Sequence, residues 1–338
     1  MYVTIKDVAK KSNVSPSTVS RVIADNPKIS DKTKAKVFAA MKELNYQPNI
    51  IARSLANKKS YTLGLIIPSK EEKMFENSFF IQAMRGLSIY AQSKGYYIMY
   101  NYCQSEEDEL RTIEQFVSSK WVDGIILTTT KIVDKNIDFL FEKDQPFVVI
   151  GTPQAHRDQI LYVDNDNVAA MENVVNTMIE QGHKKIVFSG GEYQFTVNRH
   201  RLRGYKQALA SHGIVYDDAL VMKDGACEEA AYNEMVRMLE SLEPDAIVGT
   251  DDGIAHGAYK AYYDTKNKEI AIASFNNTAL SIYHKPSMSS VNVNSEELGH
   301  RAAELLINKI EKKVASSNKV IIDAKFIQRE STLDFRMD

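Results

Sequence analysis

Residues 14–23 read VSPSTVSRVI. Val19, Val22 and Ile23 make one apolar side of this short segment, and Pro16, Ser17, Thr18, Ser20 and Arg21 occupy the other. These side chains suit nucleic-acid binding. Small residues let a helix sit deep in a major groove, hydroxyls donate to phosphates, and an arginine can bridge O6 and N7 of a guanine. The plain alternative is a surface helix that happens to be serine-rich, and the charge distribution weighs against it. Through Ser60 there are 12 Lys and Arg against four Asp and Glu, a charge of +8, and the remainder of the chain carries −10. A basic head on an acidic body points to a polyanionic partner for the head.

Few other residues have spacings that could do chemistry. There is no GxxxxGK[ST] loop, no GxGxxG after a strand, no HExxH and no GxSxG, so no catalytic residue and no cofactor is expected. Asp251-Asp252 could form an acid/base or metal pair, but adjacent acids after a strand more often bind ligand hydroxyls or cap a helix. Cys103 and Cys227 are far apart and belong to no metal-like cluster, so neither a disulfide framework nor a metal site is expected. With 338 residues, 44% hydrophobic and 25% charged, the chain can build two or three cores. No apolar run approaches the roughly 18 residues of a membrane span, and no signal region opens the chain, so a cytoplasmic, membrane-free protein is expected.

Three short helices would position the hydroxyl-rich face. Thr4 with Asp7 predicts a capped helix over Ile5–Lys11, broken at Ser12-Asn13. Ser15 can cap a second helix with Pro16 at its first position, where a missing N–H costs nothing. Ser30 can cap a third helix carrying Val37, Met41 and Leu44, which Pro48 ends. Two helices joined by a tight turn, with a third in support, make a helix-turn-helix unit. Beyond it PNIIARSLA (48–56) is two turns at most, too short to be stable alone and therefore able to order only with DNA or a partner copy.

The body contains one unit written twice. LGLIIP, RGLSIYAQSKGY, YIMYNYC, SEEDELRTIEQFV and VDGIILTT are followed by KIVFSGG, RGYKQALASHGI, LVMKDG, EEAAYNEMVRML and PDAIVGTDD. Both copies alternate strand and helix, and both hold Arg-Gly, eight residues, then Gly: Arg85-Gly86 to Gly95 and Arg203-Gly204 to Gly213. The pattern predicts two α/β lobes with parallel sheets, whose strand C-terminal ends face a ligand cleft.

TIKDVAKKSNVSPSTVSRVI and ELNYQPNIIARSLA closely resemble the DNA-binding head of the LacI/GalR family of bacterial repressors. The body, through GHKKIVFSGG, RLRGYKQAL, GTDDGIAHGAY and RESTL, is similar to that family's two-lobed, periplasmic-binding-protein-like fold. The resemblance implies a helix-turn-helix domain at 1–46, a hinge helix and linker at 47–60, an N-terminal lobe of 61–161 with 291–319, and a C-terminal lobe of 162–290 with 320–338. It implies a homodimer on a palindromic double-stranded operator, with Pro16, Ser17 and Arg21 reading bases. Thr4, Ser15, Thr18, Ser20, Ser30 and Thr33 fall where the family meets phosphates. Ala24 stands where relatives often carry a phosphate-binding Asn. Leu55 takes the position that wedges into the minor groove, although without the resemblance a core leucine is the simpler reading.

In the body the resemblance puts Arg201 and Asp251 against a small sugar effector, with Arg199, Phe275, Asn276, Asn77 and Phe79 as further contacts. A salt bridge between lobes is an alternative for Arg201, ordinary packing for Phe275, Asn77 and Phe79, and a helix-capping role for one of the arginines around Arg199. Many relatives carry Asp where Asn276 stands; an amide both donates and accepts, so it still suits a sugar. Across its length the chain is most similar to the maltose-operon branch of the family, which implies maltose or a maltooligosaccharide. Two other readings remain: a carbon-catabolite regulator of the same family controlled by a phosphorylated carrier protein, and a sugar-binding enzyme with an accessory head.

Overall fold

Local capping sets the helices of the head. In the computed structural model, which describes residues 3–23, 26–47, 59–68, 78–313, 317–333 and 335, helix α1 (Ile5–Ser12) begins where the Asp7 carboxylate accepts from the Thr4 N–H at 2.8 Å and the Thr4 hydroxyl at 2.7 Å. It ends at Asn13 in the left-handed region, φ 51°, which asparagine tolerates better than most residues. Helix α2 (Pro16–Ile23) starts behind Ser15, whose Oγ accepts from the Thr18 N–H at 3.1 Å. Helix α3 (Asp31–Glu43) starts behind Ser30, which accepts from Thr33 in the same way. Val8, Ala9, Val19, Val22, Val37 and Ala40 form the sealed core, with Met41 and Leu44 packed at its edge. The expected hinge segment at 48–58, including Leu55, lies outside the described residues, as do Ala24 and Asn77.

The chain divides after Ser60 into this head and a second unit, in which near-continuous apolar runs become buried, mostly parallel inner strands, as sheets covered on both faces require, while the edge strands at 97–102, 319–322 and 325–327 stay partly or largely exposed. One sheet has the order β10-β5-β4-β3-β1-β2, from β1 (Thr62–Ile67), β2 (Tyr97–Tyr102), β3 (Gly124–Leu127), β4 (Phe147–Ile150), β5 (Leu161–Asn165) and β10 (Lys319–Ile322). The other runs β11-β9-β8-β7-β6, from β6 (Ile186–Ser189), β7 (Ala246–Gly249), β8 (Ala271–Phe275), β9 (Ser289–Asn292) and β11 (Lys325–Ile327), with only the β9–β11 pair antiparallel. Helix α4 (Ser78–Ser93) helps cover one face of the first sheet, and α5 (Glu106–Ser119) and α6 (Lys135–Glu142) cover the other. The second sheet lies between α7 (Asn167–Glu180) with α8 (Thr196–Ser211) and α9 (Glu228–Met238) with α10 (Asp252–Lys266). After the short α11 (Ala279–Tyr283), α12 (Ser295–Ile310) returns to the first sheet beside α4, and α13 (Glu330–Leu333) ends the chain's described helices.

The repeated Arg-Gly…Gly pattern has a packing cause. A Cβ on Gly86 would collide with the Glu296 carbonyl of α12, and one on Gly204 with the Val168 carbonyl of α7. Each glycine therefore lets two helices touch backbone to backbone. The later glycine of each copy, Gly95 or Gly213, turns the chain at positive φ, 74° and 69°.

The chain passes between the lobes three times. It leaves the first sheet after Asn165, returns after Asn292, and crosses again between Ile322 and Lys325. These crossings fall a few residues later than the boundaries at 161, 290 and 319, because β5 and β10 pair with each other in the first sheet through Asn165 and Ile322. Among the described residues no helix is long and apolar enough to cross a membrane.

Candidate nucleic-acid interface and ligand cleft

On α2, Pro16, Ser17, Ser20 and Arg21 are exposed, while Val19 and Val22 are wholly buried. The exposed positions recur at helical spacing and so share one face. Ser15 Oγ lies 2.8 Å from Ser17 Oγ and 2.9 Å from Thr18 Oγ1, which gathers three hydroxyls at the helix N-terminus. There the orphan N–H groups and the helix dipole favour an anion such as a phosphate. Thr4, Ser15 and Ser30 are exposed and Thr33 is partly so, each at or next to the start of a helix.

The segment after β3 meets the segment before α8: Thr196 N–H donates to the Thr130 carbonyl at 3.0 Å, and Ile132 N–H to the Gln194 carbonyl at 2.8 Å. Phe79, at the start of α4, packs against the cores of both lobes.

Arg201, on α8, is buried and only 7% exposed. Its Nε donates to Asn167 Oδ1 at 2.9 Å and Nη1 donates to the Thr250 carbonyl. Its guanidinium carbon lies 4.1 Å from the centroid of the Phe275 ring. Burial lowers its pKa to about 10, opposed by the carboxylates of Asp164, Asp251 and Asp252, so it remains a cation at neutral pH. Among the described residues no salt bridge between lobes holds it; a carboxamide, a carbonyl and a ring do.

Asp251 is the N-cap of α10, accepting from the Gly253 N–H at 2.8 Å, and its other oxygen accepts from Asn276 Nδ2 at 2.7 Å. Asn276 has φ 92°, a conformation in which Asn is several-fold enriched. The two acids have thus separated their roles. Asp252 is buried and bonds inward to the hydroxyls of Ser274 and Ser290 and to the Thr278 N–H. Burial, and then the charge of Asp251, pushes its carboxyl up to about 6.

One expected contact must be corrected. Phe275 has no exposed surface: it belongs to the core and supports Arg201 from beneath, so it offers no open face for a sugar ring. Arg199 is exposed and, two residues from Arg201, stands about 200° away around α8, so the two point to different sides of the helix. Conversely Asp164, Asn167 and Thr152 were missed. Thr152 Oγ1 donates to Asp164 Oδ2 at 2.7 Å, and Asn167 Nδ2 donates to Asp164 Oδ1 at 2.9 Å. Their signal was VDNDN (163–167), polar residues crowded at the end of an apolar strand.

Residues 4–49 match the bacterial regulatory proteins of the lacI family, and residues 175–332 match a periplasmic binding protein-like domain. The HTH-type transcriptional regulator MalR of Streptococcus pneumoniae serotype 4 is 36% identical over 310 residues, covering 91% of this chain and 92% of its own length. The chain belongs to the LacI family. It is therefore a DNA-binding transcriptional regulator and not an enzyme, and α1 and α2 are the two helices of its helix-turn-helix. Catabolite control protein A of Priestia megaterium, another relative, is 32% identical over 99% of both chains. A solved complex of the transcriptional regulator CelR with cellobiose has a TM-score of 0.76 and 25% identity, over 97% of this chain and 99% of that one. The Lac repressor dimer bound to operator, with a TM-score of 0.81 and 22% identity over 98% of this chain and all of its own, shares the fold.

Proposed function

We propose that this LacI-family regulator is a repressor that binds a palindromic operator as a homodimer, and that a small neutral sugar in the cleft weakens this binding. The observation that carries the sugar reading is Arg201, a cation fixed on three sides beside the Asp251–Asn276 pair. A planar fork next to a carboxylate and an amide suits adjacent hydroxyls. Maltose or a short maltooligosaccharide is the first candidate, given the similarity to MalR. Pro16, Ser17 and Arg21 would read bases, with Ser15, Thr18, Ser20, Thr4, Ser30 and Thr33 on phosphates and Leu55 in the minor groove. Asn77 and Phe79 would border the sugar from the N-terminal lobe.

A dimer suits the exposed apolar surface of the body, Ile81, Ile89, Tyr97 and Tyr100 on one lobe and Tyr263, Ile282 and Tyr283 on the other. Two heads would then meet half-sites about one helical turn apart. We place the protein in the cytoplasm, on the nucleoid. The similarity to catabolite control protein A supports a second reading, in which a phosphorylated carrier protein docks on the body and strengthens DNA binding.

Fluorescence anisotropy of a labelled palindromic duplex with a central CpG step, at two salt concentrations, decides between them. Steeply salt-dependent binding that maltose weakens supports the repressor. Binding indifferent to maltose and to other neutral sugars would move the assignment to the partner-controlled regulator.

A further inference from the structure

The three passages between lobes meet at one side chain. Asn165 closes β5 at the first crossing, and its carboxamide nitrogen donates to the Val293 carbonyl at 3.0 Å, on the second crossing, and to the Ile322 carbonyl at 2.8 Å, on the third. Both amide protons of one buried asparagine are thus spent on the other two strands of the hinge. The same residue is also joined to Arg201. Its own N–H donates to Asp164 Oδ1 at 2.8 Å, and that oxygen also accepts from Asn167, whose Oδ1 receives Nε of Arg201. On its other oxygen Asp164 holds Thr152 of the N-terminal lobe. A continuous, buried chain of hydrogen bonds therefore runs from the Arg201 guanidinium to the point where the crossings are tied.

We propose that Asn165 is the hinge clamp of the body: it sets the angle between the lobes and makes cleft occupancy felt at the crossings. Its backbone must cross between lobes, as must those of Val293 and Ile322, so any change of lobe angle rotates these three segments against one another. A shared amide favours one arrangement of the three, because the alternative leaves buried carbonyls without a donor. Asn165 is a positioning residue. The coupling half of the inference rests on the sugar reading above; the clamp itself does not.

The test uses the full chain with spin labels on the exposed Cys227 of the C-terminal lobe and on an introduced thiol, Glu142→Cys, in the N-terminal lobe. Lobe-to-lobe distances are read by pulsed electron resonance in wild type, Asn165→Ala and Asn136→Ala. The last variant loses a buried amide bond to Glu109 at 3.0 Å without touching the crossings. The expected result is a single narrow distribution for wild type and Asn136→Ala, and a broadened or shifted one for Asn165→Ala. Alongside, direct titration of maltose should stay within about 3-fold in Asn165→Ala, while the loss of operator affinity that maltose causes shrinks at least about tenfold. A wild-type distribution in folded Asn165→Ala overturns the clamp, and a broadened distribution with undiminished coupling overturns its regulatory role. Should wild-type operator binding ignore sugars altogether, the sugar reading fails and the distance measurement alone decides the clamp.

Discussion

The head and the surroundings of Arg201 hold similar residues in opposite ways. Arg21 and its neighbouring serines are exposed on one face of an eight-residue helix, and the core beneath them needs nothing from them. Arg201 is 7% exposed and is held by residues from three other elements. A surface that reads a long polyanion can leave its cations hydrated, because many weak contacts and released counterions supply the affinity. The proposed sugar site would have few contacts with a small neutral molecule, so each would have to be fixed in advance. The difference teaches that substitutions in the two regions should fail differently: on the exposed face of α2 through binding alone, around Arg201 through folding as well.

Arg201→Ala tests this most strongly. It should cost about 2–5 kcal/mol of sugar affinity, the usual result of truncating one side of a buried, hydrogen-bonded charge. It should also lower the unfolding midpoint, since Asn167, the Thr250 carbonyl and the Phe275 ring lose their partner. Calorimetric sugar titration and a thermal melt measure both. An Arg201→Ala protein of undiminished stability would break the comparison.

Asp252 is next. Its folded carboxyl is raised to about 6 from 3.8, so the folded state holds the proton more tightly than the unfolded one. The stabilisation is complete below the unfolded value and is lost as pH rises through about 6, about 3 kcal/mol at most. Denaturant unfolding of wild type and Asp252→Asn between pH 4 and 7 should therefore show the wild type losing stability relative to the variant as pH rises.

In the head, Arg21→Ala should cost about 1–3 kcal/mol at the operator and relax its base preference, while leaving the thermal melt unchanged. Anisotropy against cognate and scrambled duplexes measures it. The smallest effect should come from Ser30→Ala. Loss of the α3 cap should lower stability by about 1 kcal/mol, with only a modest further loss of phosphate contact.

How much of this was legible in the sequence followed the range of the interaction. Thr4, Ser15 and Ser30 could be placed as caps because a cap and its target lie within three residues. The exposed face of α2 followed from helical periodicity in the same way. The Arg-Gly…Gly repeat announced two α/β copies, although the reason for each first glycine, a helix touching another backbone, appeared only in the fold. Phe275 was left between core and stacking platform because β-strand alternation cannot say what covers a face. Arg199 and Arg201 could be ranked only by resemblance until α8 gave them opposite directions.

The sequence by itself determined a basic three-helix head with an exposed hydroxyl-and-arginine face, and a duplicated α/β body without catalytic motifs. Short-range patterns suffice for these, since helices and strands carry their periodicity and caps locally. Only the tertiary structure decided that Phe275 lies beneath Arg201, that Asp251 caps α10 and pairs with Asn276 while its neighbour Asp252 bonds inward, and that Asn165 ties three strands. Those bonds join residues as far as 128 and 157 positions apart. No local pattern records such pairs, because the chain must first close both lobes before the groups that make them can meet.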